Sequence, residues 1–107
     1  MAFYDLYGFS SLDIQDAKQL LEKALDLEFQ AHESAYQGGI YFQHGNANEE
    51  HLVLKQNLDP YDGEAAELSF SKYPVLFYVN DTARSEDFQQ RIMASLPVLA
   101  LLRHERF

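Results

Sequence analysis

The chain has 107 residues, of which 47% are hydrophobic and 14% aromatic, and it contains no cysteine. This size and apolar content predict a single domain, residues 1–107, with one hydrophobic core. The absence of cysteine excludes a disulfide scaffold, a cysteine zinc site and a thiol nucleophile. Seventeen acidic against eight basic residues give a net charge of −9, which disfavours binding to nucleic acid or to an anionic membrane and favours a basic protein partner.

The N-terminus lacks the features of a targeting segment. Its residues, MAFYDLYGF, contain no basic region followed by a long apolar run, which a signal peptide requires. No apolar run approaches the roughly 20 residues that span a bilayer. Together with the absence of cysteine, this pattern predicts a cytoplasmic protein.

The first third of the chain predicts a strand followed by an amphipathic helix. Residues Phe3 to Phe9 alternate between two faces, as a strand does. Ser10 and Asp13 resemble a capping box, with Asp in place of Glu. Apolar residues then recur at helical spacing from Ile14 to Leu27, with acidic and amide residues on the other face.

The next predicted strand, Tyr36 to Gln43, contains an adjacent pair of glycines, Gly38 and Gly39. Such a pair marks a bulge or a position where something approaches the backbone closely. Two interpretations stay open: the glycines leave room for the first helix to cross the sheet, or they face a ligand or partner. Turn residues at 44–48 and alternating residues at 51–56 then predict an antiparallel hairpin.

The C-terminal half predicts a loop, a strand, a helix and a last strand. Residues 57–68 contain Asp-Pro and Asp-Gly pairs, which indicate a loop. The unbroken apolar run at 75–79 is typical of a central strand covered on both faces. Residues 80–85 offer caps for a second helix, which Pro97 ends, and residues 98–105 form the final strand. In that helix Phe88, Ile92 and Met93 are expected to point inward, and Asp87 and Arg91 outward.

The resulting order, β-α-β-β-β-α-β, predicts the fold class. One mainly antiparallel sheet covered by two helices on one face is an α+β two-layer sandwich. The nearest familiar arrangement is the ferredoxin-like one with an extra strand.

No motif in the sequence indicates catalysis or a cofactor. The four histidines, His32, His44, His51 and His104, lack the spacing of a metal site. The serines lack a G-x-S-x-G setting, and neither glycine-rich nucleotide motif occurs. We therefore predict a non-enzymatic protein with no catalytic residue, no metal and no cofactor.

The loop at 57–68 is the main candidate for function, because it contains four carboxylates and no basic residue. Carboxylates on a shaped loop can pair with the lysine and arginine side chains that hold phosphates in a nuclease, and a tyrosine there can anchor an interface. A second acidic cluster lies at the predicted start of the second helix, where the helix macrodipole alone explains it. The predicted partner-binding residues are Asp59, Tyr61, Asp62, Glu64 and Glu67, with Glu33, Tyr36, Tyr41, Asp81, Glu86 and Asp87 as secondary candidates.

Several segments resemble one family of small bacterial immunity proteins. After the helix SSLDIQDAKQLLEKAL come HESAYQGGIYFQ, LKQNLDPYDGE, YPVLFYVNDTARS and LLRHERF, in that order. The most specific parts are ES-x-Y-x-GG-x-Y-F and V-L-F-Y-V-N-[DN]-T-x-R-S. Such proteins belong to contact-dependent growth inhibition and related polymorphic toxin systems.

The resemblance implies a cytoplasmic inhibitor without turnover. It would act as a monomer in a 1:1 complex with one cognate toxin domain, commonly a basic nuclease that acts on transfer RNA. The resemblance carries no fixed set of functional residues, because the contact surfaces of such proteins diversify with their toxins.

Two other functions stay open. One is a small enzyme or ligand-binding domain with a pocket at the Gly38–Gly39 strand, walled by Tyr36 and Tyr41. The other is a homodimeric structural or regulatory module that pairs through a sheet edge.

Overall fold

The computed structural model describes residues 2–10, 13–34, 39–59, 63–96 and 98–106. In chain order the elements are β1 (Phe3–Phe9), α1 (Ile14–Leu25), β2 (Gln30–Ser34), β3 (Gly39–His44), β4 (His51–Gln56), β5 (Val75–Thr82), α2 (Ser85–Ser95) and β6 (Ala100–Arg106). A short 3-10 helix, Leu68–Phe70, lies within the long connection from β4 to β5.

The described strands form one sheet of six in the order β2-β3-β4-β5-β1-β6, and every neighbouring pair is antiparallel. β1 lies between β5 and β6, which run in the same direction and are connected through α2, so this part is a split β-α-β unit. The predicted α+β class, with an antiparallel sheet and two helices, is confirmed.

The predicted order of elements is one strand short. The additional strand is β2, which pairs with β3 at the edge of the sheet. Its sequence, QAHES, is mostly polar and mostly exposed. It therefore lacks the apolar alternation by which a half-buried strand is recognised. The predicted strand at 36–43 corresponds to β3, and residues 36–38 lie outside the described ranges.

Both helices pack on one face of the sheet, where α1 contacts β4 and α2, and α2 contacts β1. Neither described helix is long and apolar enough to cross a membrane. Met93 is 75% exposed, against the prediction, because the buried stripe of α2 runs through Phe88 and Ile92 and the next residue lies about 100° further around the helix. The buried core consists of Tyr7, Phe9, Ala17, Leu21, Leu25, Phe29, Phe42, Leu52, Leu54, Val75, Phe77, Val79, Phe88, Ile92, Leu96 and Leu99.

The cap of α1 lies three residues later than the sequence predicts. Asp13 is the N-cap, and its Oδ1 accepts a hydrogen bond from the Asp16 backbone N–H at 2.8 Å. At the start of α2, the Thr82 hydroxyl accepts a hydrogen bond from the Arg84 N–H at 3.1 Å. Thr82, within the predicted capping stretch, therefore satisfies a donor just before the helix.

Gly39 is required by its backbone conformation and not by close packing. Its φ of 107° is one that L residues rarely adopt, and nothing lies within 4 Å of where a Cβ would be. Room for the first helix is therefore not the reason for this glycine, and Gly38 lies outside the described residues. Gly8 shows the opposite case, because a Cβ there would lie 2.7 Å from the Tyr73 ring and 2.8 Å from Leu102.

The connection between β4 and β5, residues 57–74, packs against the sheet. Asn57 holds it through three hydrogen bonds, in which its Nδ2 donates to the carbonyls of Phe70 and Tyr73 at 3.0 Å and its Oδ1 accepts from the Glu67 N–H at 2.8 Å. The side chain of Tyr73 lies over Gly8 of β1. We call residues 57–74 the crossing segment.

Candidate functional site

The predicted partner-binding loop lies in the crossing segment. The Asp59 N–H donates to the Glu64 carbonyl at 2.6 Å, and the Gly63 N–H donates to the Asp59 carbonyl at 3.0 Å, so the backbones of the two acidic residues lie side by side. Asp59 is half-buried and Glu64 is exposed. The other two candidates in this loop, Tyr61 and Asp62, lie outside the described residues.

Glu67 is bound within the protein. Its Oε2 accepts a hydrogen bond from the Tyr78 hydroxyl at 2.7 Å, and its two oxygens face the two terminal nitrogens of Arg103 at 3.2 and 3.3 Å. Burial alone raises the pKa of Glu67, but the hydrogen bonds from Tyr78 and Arg103 outweigh burial, so the pKa lies below its usual value. This carboxylate connects the crossing segment to β5 and β6.

The sheet face opposite the helices, which we call the open face, carries a groove. A cavity of about 670 Å³ lies over β1, β5 and β6, and a second of about 300 Å³ lies over β3, β4 and β5 and shares Tyr78 and Asn80 with it. The first cavity is lined by Tyr4, Asp5, Tyr78, Asn80, Arg103 and Glu105.

Lys55 and Tyr78 lie next to each other in this groove, with the ammonium 5.7 Å from the centre of the phenol ring. Burial lowers the pKa of Lys55 in spite of the nearby carboxylates of Glu67 and Asp59. Burial, followed by the hydrogen bond to Glu67, raises the pKa of Tyr78. The groove thus contains partly desolvated polar groups.

The secondary candidates on the edge strands lie apart from the crossing segment. Tyr41 on β3 stacks on His32 of β2, with ring centroids 5.3 Å apart. Glu33 on β2 is exposed and pairs in register with Ile40. Tyr36 lies outside the described residues.

Three connections meet at one end of the sheet, where β1 begins and β5 ends. They are the α1–β2 connection at 26–29, the β3–β4 hairpin at 45–50 and the β5–α2 connection at 83–84. His44 Nδ1 lies 2.8 Å from the Glu28 carbonyl oxygen, which joins the first connection to the second. Arg84 donates to both oxygens of Glu50, its NH2 to Oε2 at 2.8 Å, which joins the second connection to the third.

We call this end the acidic end. Within the described ranges, five carboxylates there have no hydrogen bond or ion pair of their own side chain. Two others are paired, Glu50 with Arg84 at 2.8 Å and Asp87 with Arg91 at 3.4 Å, and the hydrogen bonds from Arg84 and Thr82 hold the pKa of Glu50 below its usual value. The five unpaired carboxylates are those of Asp26, Glu28, Glu49, Asp81 and Glu86.

The predicted secondary candidates Asp81, Glu86 and Asp87 therefore belong to the acidic end, whereas Asp59 and Glu64 follow the opposite end of β4. The structure does not bring the two sets together. Asp26, Glu28 and Glu49 were not singled out in the sequence, although the unmatched acids of 26–28 and 49–50 were visible there.

A buried carboxylate lies beside the acidic end. Asp5 on β1 accepts a hydrogen bond from the Ser85 hydroxyl, and its Oδ1 lies 2.5 Å from His104 Nδ1 on β6. The Asp5 side chain is fully buried, whereas that of His104 is 43% exposed. Sequence reasoning missed this group because the carboxylate and the imidazole are 99 positions apart and no motif connects them.

The remaining histidines have local partners. His51 Nδ1 lies 2.7 Å from the Glu49 carbonyl oxygen, and its Nε2 lies 3.4 Å from Asn80 Nδ2. In the part of the chain that the structure describes, no group of three or more histidine, aspartate or glutamate side chains is placed to hold a metal ion.

Comparison with known proteins leaves the family open. No family model, no curated protein and no solved structure matches the chain. The function is therefore argued from the surfaces described above and from the sequence resemblance.

Proposed function

We propose that the protein is an immunity protein: a non-enzymatic inhibitor that binds a basic toxin domain, a nuclease, in the cytoplasm. The observation that carries the proposal is the acidic end, where five carboxylates have no cation of their own among the described residues: three lie in connections, Asp81 lies near the end of β5 and Glu86 lies in the first turn of α2. The resemblance of HESAYQGGIYFQ and YPVLFYVNDTARS to immunity proteins supports the same reading.

The acidic end suits a cationic partner better than the crossing segment does. A carboxylate that already pairs with a cation in its own chain, as Glu67 does with Arg103, is largely neutralised and attracts a second cation only weakly. The carboxylates of Glu49, Asp81 and Glu86 have no such partner within the described ranges. Like charges gathered on one surface raise the rate of encounter with an oppositely charged protein.

Two variants with the same net charge test the location. One carries Glu49→Gln, Asp81→Asn and Glu86→Gln, and the other carries Asp59→Asn, Asp62→Asn and Glu64→Gln, so each changes the net charge from −9 to −6. Asn is chosen at Asp81 because this residue has a φ of 54°, which Asn tolerates. The partner is a candidate basic toxin domain, chosen from the open reading frame directly upstream if that frame encodes one, and the association rate is measured by stopped flow.

We expect the rate for the acidic-end variant to fall about tenfold at low salt, and that for the loop variant to fall much less. An equal fall in both variants means that only the total charge matters and contradicts the location. Absence of a complex between the wild-type protein and the toxin domain contradicts the function itself.

The open-face groove favours a second candidate, a small-molecule-binding domain. The larger cavity, about 670 Å³, lies within the roughly 300–1,000 Å³ of ligand sites, and several polar side chains converge on it. It lies over β1, β5 and β6, whereas the sequence places the pocket at the glycine pair. A fragment screen by NMR tests this candidate function. Saturable chemical-shift changes at Tyr78 and Asn80 support it, and the absence of any shift change in the groove excludes it.

The finer description of the fold is also a proposal. The split β-α-β unit formed by β5, α2, β6 and the intervening β1 supports a relation to the ferredoxin-like arrangement. A solved structure of this chain that superposes on that arrangement tests it.

A further inference from the structure

A cavity of about 410 Å³ lies beside His104 at the acidic end. Its wall combines an aromatic ring, an imidazole and the first turn of α2. The lining residues are Phe3, Ala83, Arg84, Ser85, Glu86, Gln89 and His104.

Asp5 decides which hydrogen-bonding group His104 presents to this cavity. The Ser85 hydroxyl donates to one oxygen of Asp5, and His104 Nδ1 lies 2.5 Å from the other, so we assign a carboxylate to Asp5 and the proton between the two side chains to Nδ1. In a neutral imidazole the other nitrogen, Nε2, is then an acceptor with a free lone pair. A buried carboxylate thus fixes the tautomer of a half-exposed histidine.

Two other side chains of the wall, those of Gln89 and Glu86, also offer acceptors. Gln89 Nε2 donates to the Ser85 hydroxyl at 3.2 Å, so the amide oxygen of Gln89 is left for another donor. The carboxylate of Glu86 is exposed and has no side-chain partner in the described ranges. Arg84 does not provide a free cation, because it pairs with Glu50 at 2.8 Å and stacks over Phe88 at 4.6 Å.

The local charge favours a cation. The N-terminus of α2 contributes a partial positive charge of about +0.5, which opposes a cation. The carboxylate of Glu86 in the wall and that of Asp5 behind it oppose this partial charge, and the ion pair of Arg84 with Glu50 adds no net charge. An aromatic face is present as well, since Phe3 stacks on His104 with centroids 5.1 Å apart and 15° between the planes.

From this geometry we propose that the cavity receives the guanidinium group of an arginine from the protein partner. Guanidinium is planar, carries only donors, and stacks on aromatic rings, so it matches three acceptors beside Phe3 and His104. Lysine offers a compact ammonium without a flat face and fits less well. This inference rests on the proposed function only for the identity of the partner, because the pocket itself can be tested with a peptide.

The first test titrates the isolated protein with the peptides Gly-Arg-Gly, Gly-Lys-Gly and Gly-Ala-Gly at about pH 8, where an ordinary imidazole is neutral. Long-range nitrogen–proton spectra report the tautomer of His104 directly. We expect a protonated Nδ1 and a bare Nε2, and saturable shifts at Phe3, Glu86 and His104 with the arginine peptide alone. Equal responses to the arginine and lysine peptides indicate only a non-specific electrostatic attraction of cations and overturn the proposal. The absence of any response to the arginine peptide overturns it as well.

The second test uses two variants with the same charge change, Glu86→Gln in the cavity wall and Glu33→Gln on the exposed edge strand β2. Both residues are exposed, so both variants should fold. We expect Glu86→Gln to weaken arginine-peptide binding about tenfold and Glu33→Gln to leave it unchanged. Equal weakening in both overturns the pocket.

The same two variants, assayed against the toxin domain, separate the two proposals. If the toxin binds and Glu86→Gln has no effect on its affinity, the pocket is not used and the immunity function stands. If the arginine peptide binds as expected and no toxin domain does, the pocket stands and the immunity function fails.

Discussion

The crossing segment and the acidic end have similar compositions and different roles. The crossing segment is one connection between two strands, whereas the acidic end combines three connections with residues of β5 and α2, and both contain several carboxylates. In the crossing segment Glu67 is held by Tyr78 and Arg103 and connects the segment to the sheet. At the acidic end Glu49 and Glu86 have no side-chain partner among the described residues. Acidic composition therefore occurs both in a structural contact and in a surface of unpaired carboxylates, and spatial neighbours decide which of the two it is.

Burial explains the difference. The side chain of Glu67 is only 24% exposed, and a carboxylate removed from water must be paired or hydrogen-bonded. The exposed carboxylates at the other end keep their water shell and need no partner for folding. Substitution of polar residues in the crossing segment should thus lower the stability of the protein. Substitution of carboxylates at the acidic end should instead weaken binding.

The largest effect on stability is expected for Asn57→Ala. This change removes three hydrogen bonds of the crossing segment, to the Phe70 and Tyr73 carbonyls and from the Glu67 N–H, although the Phe70 carbonyl keeps the hydrogen bond from the Tyr73 N–H. We expect the free energy of unfolding, measured by urea denaturation, to fall by about 2–3 kcal/mol. Asn48→Ala in the exposed hairpin is the matched control, with a change within about 0.5 kcal/mol. Similar losses in both variants would show that the two regions do not differ.

Gly8→Ala tests the packing of the crossing segment on β1. The new methyl group would lie 2.7 Å from the Tyr73 ring, so the segment must shift away from the strand. We expect a loss of about 1–3 kcal/mol and faster proteolysis within residues 57–74. Gly63→Ala has open space and a φ of 73°, and should cost only about 1–2 kcal/mol of backbone strain. An unchanged proteolysis rate in Gly8→Ala contradicts the packing.

Acid should weaken the crossing segment through Glu67. The pKa of Glu67 is lowered in the folded protein from an ordinary value of 4.5, so its contribution is present above that value and is lost as the pH falls through the folded-state pKa. Because Arg103 is 39% exposed, we expect this contribution to be only about 1 kcal/mol. Urea denaturation at pH values from about 7 to 3 should show a shallower loss of stability in Glu67→Gln than in the wild type. Parallel curves would contradict the role of the ion pair.

The smallest effect is expected at the acidic end. The triple variant Glu49→Gln, Asp81→Asn, Glu86→Gln removes three charges without removing a side-chain contact of the described residues. We expect its free energy of unfolding to lie within about 0.5 kcal/mol of the wild type, or slightly above it as repulsion falls. A loss above about 1 kcal/mol would show that these carboxylates are structural.

The sequence alone determined the fold class and most of the elements. The alternation at Phe3–Phe9, the helical spacing from Ile14 and the apolar run at 75–79 each depend on near neighbours in the chain, and each of these segments forms the predicted element. The charge of −9 is likewise a property of composition alone. What sequence reasoning missed locally was the polar edge strand β2, since an edge strand with two exposed faces shows no periodicity.

Only the tertiary structure decided which of the described carboxylates are paired within the fold and which are left without a side-chain partner. Arg103 reaches Glu67 across 36 positions, and His104 reaches Asp5 across 99. Pairings of this kind depend on the order of strands in the sheet, which places β6 beside β1 and the crossing segment over both. Electrostatic interactions act through space over a few ångströms, and neighbours in space are set by strand order and not by separation along the chain.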